Sequence, residues 1–179
     1  MNSVQKIHLP KTVMLIGMMG AGKTTVGKRL AQYFGAPFVD ADAEIERASG
    51  FSVKELFRKF GEDEFFKGEE RVVERLLNGP TCVLSSGGTS FVSEKVREIS
   101  KRSAITVWLK ADYDVLYLRT KGRKHRPLIP SDNPESALKR MIEEFYPLYA
   151  NADIVIETMN ENPKKTCLRI ASAIEEFLV

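Results

Sequence analysis

Short apolar runs along the chain alternate with longer segments in which apolar residues recur every three or four positions. The runs fall near residues 12–17, 37–40, 81–86, 104–109 and 153–156, each of strand length and bounded by polar, Gly or Pro positions. The helical segments fall near 22–34, 52–60, 62–78, 91–101, 112–119, 134–148 and 164–178. Strands apolar along their whole length, separated by helices, predict a parallel sheet covered on both faces.

Cap residues sharpen several of these boundaries. Pro163 can open the last helix, whose stripe runs Cys167, Ile170, Ala171, Ile174, Phe177 and Leu178, because the first helical turn tolerates a missing N–H. Asn133-Pro134 supplies a cap and a first-turn proline for the helix bearing Leu138, Met141, Ile142 and Phe145. The preceding stretch from Lys121 to Asp132 is polar and basic and holds Pro127 and Pro130. It reads as a loop that serves as a mobile lid over about 121–133.

The strongest local signal is Gly17-Met18-Met19-Gly20-Ala21-Gly22-Lys23-Thr24, a full match to G-x-x-x-x-G-K-[ST]. An apolar run, Val13-Met14-Leu15-Ile16, precedes it, and an amphipathic segment with Val26, Leu30, Ala31 and Phe34 follows, which is the strand-loop-helix setting the mechanism requires. Glycines let the loop curl with N–H groups inward, and the helix N-terminus adds partial positive charge, so phosphate oxygens meet donors in place of water. Gly20, Ala21, Gly22, Lys23, Thr24 and Thr25 are therefore the expected nucleotide contacts. Lys23 reaches the β- and γ-phosphates as a point charge, and the Thr24 hydroxyl faces Mg²⁺.

Asp40 and Asp42 end the second strand in Phe38-Val39-Asp40-Ala41-Asp42. Ligands of open parallel sheets bind at the carboxyl ends of the strands, so both acids are expected at the same crevice as the loop. One is expected to hold Mg²⁺ and the other to orient or deprotonate an acceptor hydroxyl; one can equally cap a helix beginning near Ala43. Gly87-Gly88 after the third strand permits close approach of a substrate to backbone. Arg126 in the basic loop is placed to fold over the phosphates, and Arg119 to stack on a base. A GTPase would need an N-K-x-D element, which is absent, and a translocating ATPase would need acidic residues after the third strand, where this chain has Ser85-Ser86-Gly87-Gly88.

Composition narrows the setting. A chain of 179 residues, 43% hydrophobic and 28% charged, fits one domain spanning 1–179 with its own core. The net charge of +3 is too small to call for a nucleic-acid partner, although Lys121, Arg123, Lys124 and Arg126 cluster locally. No stretch is long and apolar enough to span a bilayer, and the first residues lack a signal core. Cys82 and Cys167 lie in a strand and a helix respectively and read as free buried thiols of a reducing compartment. A cytoplasmic monomer without a membrane partner is the expectation.

Read in order, these residues resemble the shikimate kinases. The resemblance rests on the Gly17 to Thr24 loop, Asp40-Ala41-Asp42, Gly61-Glu62-Asp63-Glu64-Phe65 followed by Glu69 and Glu70, Gly87-Gly88, Arg126-Pro127-Leu128 and Pro147-Leu148-Tyr149. It implies a three-layer α/β/α phosphate-loop kinase fold, with a five-stranded parallel sheet of order 2-3-1-4-5. It implies phosphorylation of the 3-hydroxyl of shikimate by ATP with Mg²⁺, in the route to aromatic amino acids. Catalytic residues are then Lys23, Asp42 and Arg126, with Thr24 and Asp40 at the metal. Arg119 and the segment with Asn162 and Pro163 lie beside the base. Acceptor contacts come from Asp42, Gly87, Gly88 and the region 41–70.

The sequence departs from that pattern where the acceptor carboxylate is gripped. Phe66 and Phe145 stand where the family resemblance implies arginines, and Thr89 replaces the third glycine. Two charge-assisted contacts are worth roughly 1.5–3 kcal/mol each, so their replacement leaves a second reading open, a kinase for another polyol or cyclitol. Lys67, Arg71 and Lys139 are the nearby cations that can substitute. A third reading, a nucleotide-binding regulatory protein without an acceptor, leaves the paired carboxylates without a purpose.

Overall fold

The computed structural model describes residues 7–122 and 133–179. Its sheet is built from β1 (Thr12–Ile16), β2 (Phe38–Asp40), β3 (Val83–Ser85), β4 (Ala104–Ala111) and β5 (Ile154–Thr158), all parallel, in the order β2-β3-β1-β4-β5. This is the order expected from the resemblance. Val13, Met14, Leu15 and Ile16 of the central strand have no exposed surface, as burial on both faces demands. The edge strand β5 alternates buried and exposed residues and, among the described residues, pairs with β4 alone.

The helices are α1 (Lys23–Phe34), α2 (Ala41–Ser49), α3 (Val53–Leu77), α4 (Glu94–Ser103), α5 (Tyr113–Thr120), α6 (Pro134–Tyr149) and α7 (Pro163–Phe177). The chain first runs outward from β1 to β2 and then reverses across the sheet. Right-handed crossovers therefore put α1 on one face and α3 and α4 on the other. In agreement, α1 packs on α7 and α3 packs on α4. The reversal falls beside β1 and β3, which is where such a sheet forms its crevice.

Most boundaries agree with the sequence pattern to within two or three residues. The predicted gap between 52–60 and 62–78 is a kink inside α3 at Gly61, whose φ of 81° and ψ of 173° suit glycine alone. The segment predicted as a helix from 91 instead begins with a 3-10 turn, Ser90–Val92, and α4 starts only after Ser93 caps it through Val96 N–H. The stripe of α7 is buried at Cys167, Ile170, Ala171 and Ile174, whereas Phe177 is 51% exposed. Ile174 in the same last turn is fully buried and Leu178 packs partly on the core, so Phe177 is the member of the stripe that turns to solvent. Both cysteines are free and buried. Among the described residues no helix is long and apolar enough to cross a membrane.

Candidate active site

The loop between β1 and α1 carries the phosphate-binding geometry. Gly17, Gly20 and Gly22 have φ of 146°, 83° and 96°, a backbone path that side chains with a Cβ resist. A Cβ on Gly17 would stand 2.8 Å from the Leu109 carbonyl oxygen, so the loop also needs glycine to sit on β4. Lys23 lies folded along the loop, its ammonium 2.7 Å from the Gly17 carbonyl and 3.0 Å from that of Met18. A concavity of about 220 Å³ opens over it, lined by Gly20, Gly22, Lys23, Thr24 and Thr25 with Asp40, Asp42, Ser85 and Gly88. Ala21, expected there too, is buried and does not line it; its N–H closes a turn on the Met18 carbonyl.

Asp40 does two things at once. Its Oδ1 accepts from the N–H groups of Asp42 and Ala43, capping α2. Its Oδ2 accepts from the Thr24 hydroxyl at 3.0 Å. The helix cap that the sequence allowed for one of the two acids thus falls to Asp40, and it leaves the second oxygen on the Thr24 hydroxyl. Ser85 adds a third oxygen, with its hydroxyl 3.4 Å from that of Thr24. A carboxylate and two hydroxyls beside a phosphate cradle are hard oxygen donors, few in number, a set that suits Mg²⁺ sharing its shell with water and nucleotide phosphate.

The turn Gly87-Gly88-Thr89 separates this concavity from a second one. The second is larger, about 390 Å³, and lies between α3, the 3-10 turn and α6, with Phe66, Thr89 and Phe145 on its wall. All three substitutions noted in the sequence therefore border one cavity. Phe145 is also part of the core, so one side chain serves both packing and the wall. Tyr149 donates its hydroxyl to the Gly88 carbonyl and fixes the turn from below. Burial pushes that phenol above its ordinary range, which keeps it a donor.

Glu69 is the residue that sequence reasoning left without a role. It is 3% exposed, and its two oxygens accept from Ser90 at 2.8 Å and Thr89 at 3.0 Å. Burial pushes its carboxyl up to about 7; the Ser90 hydroxyl opposes this, the charge of Asp42 adds to it, and Thr89 and Lys23 pull the value back. Gly87 is squeezed between the two acids, since a Cβ there would meet Glu69 Oε1 at 2.3 Å and Asp42 Oδ1 at 3.0 Å. A signal existed: Phe65, Glu69, Val73 and Leu77 form the buried stripe of α3, and a carboxylate on an apolar stripe needs partners. Ser85 gave a weaker one, a polar residue at the carboxyl end of a buried strand.

Arg119 donates to the carbonyls of Gly20 at 3.1 Å and Met159 at 3.4 Å. It thus ties the phosphate loop to the segment preceding α7. Asn162 and Pro163 act there as N-cap and first residue of α7, with the Asn162 side chain accepting from Lys164 N–H. Neither they nor Arg119 border the phosphate concavity itself. Arg126 and most of the lid range lie outside the described residues. Two of the three substitute cations are engaged elsewhere, Lys67 with Glu64 at 2.9 Å and Lys139 over the Tyr113 ring, while Arg71 lines a separate hollow beside Phe60 and Phe65.

The family model for shikimate kinase matches residues 19–175. The chain belongs to the shikimate kinase family. Among curated relatives, the shikimate kinase of Paramagnetospirillum magneticum is 46% identical over 171 residues, 96% of this chain and 88% of that protein. The shikimate kinase of Rhodopseudomonas palustris is 45% identical over 168 residues, covering 94% of this chain and 83% of that protein. A solved structure of the Acinetobacter baumannii shikimate kinase in complex with shikimate superposes with a TM-score of 0.90 at 35% identity, over 93% of each chain. Shikimate kinases are ATP-dependent small-molecule kinases, and the phosphate loop of this chain supplies the donor side of that chemistry.

Proposed function

We propose that this protein transfers the γ-phosphoryl group of ATP to a ring hydroxyl of shikimate, giving shikimate 3-phosphate and ADP. The observation that carries the reading is the pairing of two concavities across Gly87-Gly88-Thr89: Lys23, Thr24, Asp40 and Asp42 border one side, and a ring-sized cavity lies on the other. Family membership and the likeness to a shikimate complex support the acceptor.

Each residue then has a stated task. Backbone N–H groups of Gly20, Gly22, Lys23, Thr24 and Thr25 hold the phosphates, and Lys23 follows the charge as it moves outward. Thr24 and Asp40 would hold Mg²⁺, which when bound neutralises charge on the β- and γ-phosphate oxygens. Asp42 orients the acceptor hydroxyl and takes its proton. The acceptor oxygen forms a bond to the γ-phosphorus, the bond from that phosphorus to the bridging oxygen breaks, and ADP leaves with the electron pair. Glu69 holds Thr89 and Ser90 so that the turn keeps its shape. Arg119 with the Asn162-Pro163 segment flanks the base, and Arg126 of the 121–133 lid neutralises transferring charge. The whole chain acts as one kinase domain, with residues 41–70 on the acceptor side, as a cytoplasmic monomer.

A coupled assay of ADP release with magnesium, ATP and shikimate tests this. The expected result is release that depends on shikimate; a rate equal to the shikimate-free blank removes the proposal.

A further inference from the structure

A third hollow, of about 320 Å³, lies between α2 and α3. It shares no residue with the phosphate concavity or the acceptor cavity. The helical period sets the separation: Phe65, Gly68 and Val72 stand on one face of α3, and Phe66, Glu69 and Glu70 stand on the other. Ile45, Leu56, Phe65 and Val72 give the hollow apolar walls, and Phe60, which also lines it, is 54% exposed. Its volume is in the range of small-molecule sites. None of these residues has a task in the transfer described above.

Two features of α3 indicate what such a space would hold. Gly68 sits inside the helix without the positive φ that marks Gly61, and a Cβ on it would meet no atom within 4 Å. Neither backbone nor packing calls for glycine there, and alanine would stabilise the helix by about 1 kcal/mol. The effect of the glycine is to leave the hollow open.

Arg71, one turn further on, supplies a charge. Among the described residues its guanidinium makes no hydrogen bond or ion pair, whereas Arg47 and Arg75 share Glu44. Among the described residues Glu64 is the one acid lining the hollow, and Lys67 holds it at 2.9 Å. The rim thus offers a cation whose charge is not taken up by a paired acid. A guanidinium can hold a planar carboxylate through two parallel N–H···O bonds, and the Phe60 and Phe65 rings suit an aromatic body.

We propose that the hollow between α2 and α3 is a second ligand site, which takes a small aromatic carboxylate with its ring against Leu56, Phe60 and Phe65 and its carboxylate on Arg71. Because the site is separate from the transfer centre, this ligand, nucleotide and acceptor bind together.

Calorimetry of the full chain with 3-phenylpropanoate, in saturating shikimate and magnesium ADP, tests this. The expected result is one molecule bound per chain with Kd below about 1 mM, and binding at least tenfold weaker for 2-phenylethylamine, which has the ring without the carboxylate. Arg71→Gln should weaken 3-phenylpropanoate at least fivefold. Gly68→Leu, which fills the hollow from its floor, should abolish binding in a protein that still unfolds cooperatively. Arg71→Gln changes an exposed side chain and decides the matter by itself if the leucine variant does not fold. No binding at about 10 mM, equal binding of the amine, displacement by shikimate or nucleotide, or undiminished affinity in Arg71→Gln would each overturn the proposal.

Discussion

Replacing Glu69 by Gln gives a sharp test of the buried carboxyl, because it keeps the shape of the side chain and removes its titration. A carboxyl whose value rises from 4.5 to about 7 on folding binds its proton more tightly in the folded state. At ~1.4 kcal/mol per unit the difference amounts to about 3 kcal/mol. The sign follows from linkage: the folded state holds more protons between the two values, so stability falls as pH rises through that window. The contribution is fully present below about pH 4.5, and it is lost once pH has passed about 7. Between about pH 5 and pH 8 the loss is roughly 2.5 kcal/mol. Urea unfolding of wild type and Glu69→Gln without nucleotide, at both pH values, measures it. The amide oxygen still accepts one of the two hydroxyls, and its NH₂ group donates to the other after a hydroxyl rotation, so the variant is expected to fold. Wild type should lose about 2.5 kcal/mol more than the variant over this range. Parallel pH dependence in the two proteins, within about 0.5 kcal/mol, would refute the reasoning and leave Glu69 an ordinary ionised carboxylate held by its two hydroxyls.

Three further perturbations address the rest of the site. Gly87→Ala places a methyl 2.3 Å from Glu69 Oε1 and 3.0 Å from Asp42 Oδ1; thermal unfolding should show ~2 kcal/mol of destabilisation, and kcat should fall at least tenfold. Asp40→Asn keeps a good cap for α2 but removes the charge beside Thr24, so stability should change by less than about 0.5 kcal/mol while the magnesium concentration for half-maximal rate rises by roughly 10–100-fold. Unchanged magnesium dependence would take Asp40 out of the metal site. Arg126→Ala should lower kcat more than it weakens ATP binding measured by calorimetry; an unaltered kcat removes Arg126 from the transfer step.

The departures from the family pattern acquire their meaning only in three dimensions. Phe66 is on α3 and Phe145 on α6, 79 positions apart along the chain, yet both face the same cavity as Thr89. Sequence could count the missing cations and name three substitutes. It could not show that Lys67 and Lys139 are engaged by Glu64 and Tyr113, because those contacts depend on which way each helix turns its faces.

Local chemistry decided what could be read directly. The G-x-x-x-x-G-K-T run between an apolar strand and an amphipathic helix, the Pro163 and Asn133-Pro134 helix starts, and the glycine break at 61 are each set by neighbours within a few residues, so their backbone preferences survive folding. The order of the strands and the burial of Cys167 and Ile170 followed from apolar patterning plus the family likeness. Tertiary packing alone decided the rest: that one oxygen of Asp40 caps a helix while the other reaches Thr24, that Phe177 turns to solvent, and that Glu69 meets Asp42, Thr89 and Ser90. A carboxyl takes its charge state from everything packed around it, and those groups come from α2, α3 and the turn after β3. Their meeting is a property of the closed structure; the order of residues along α3 marks only that Glu69 shares an apolar stripe and must find partners.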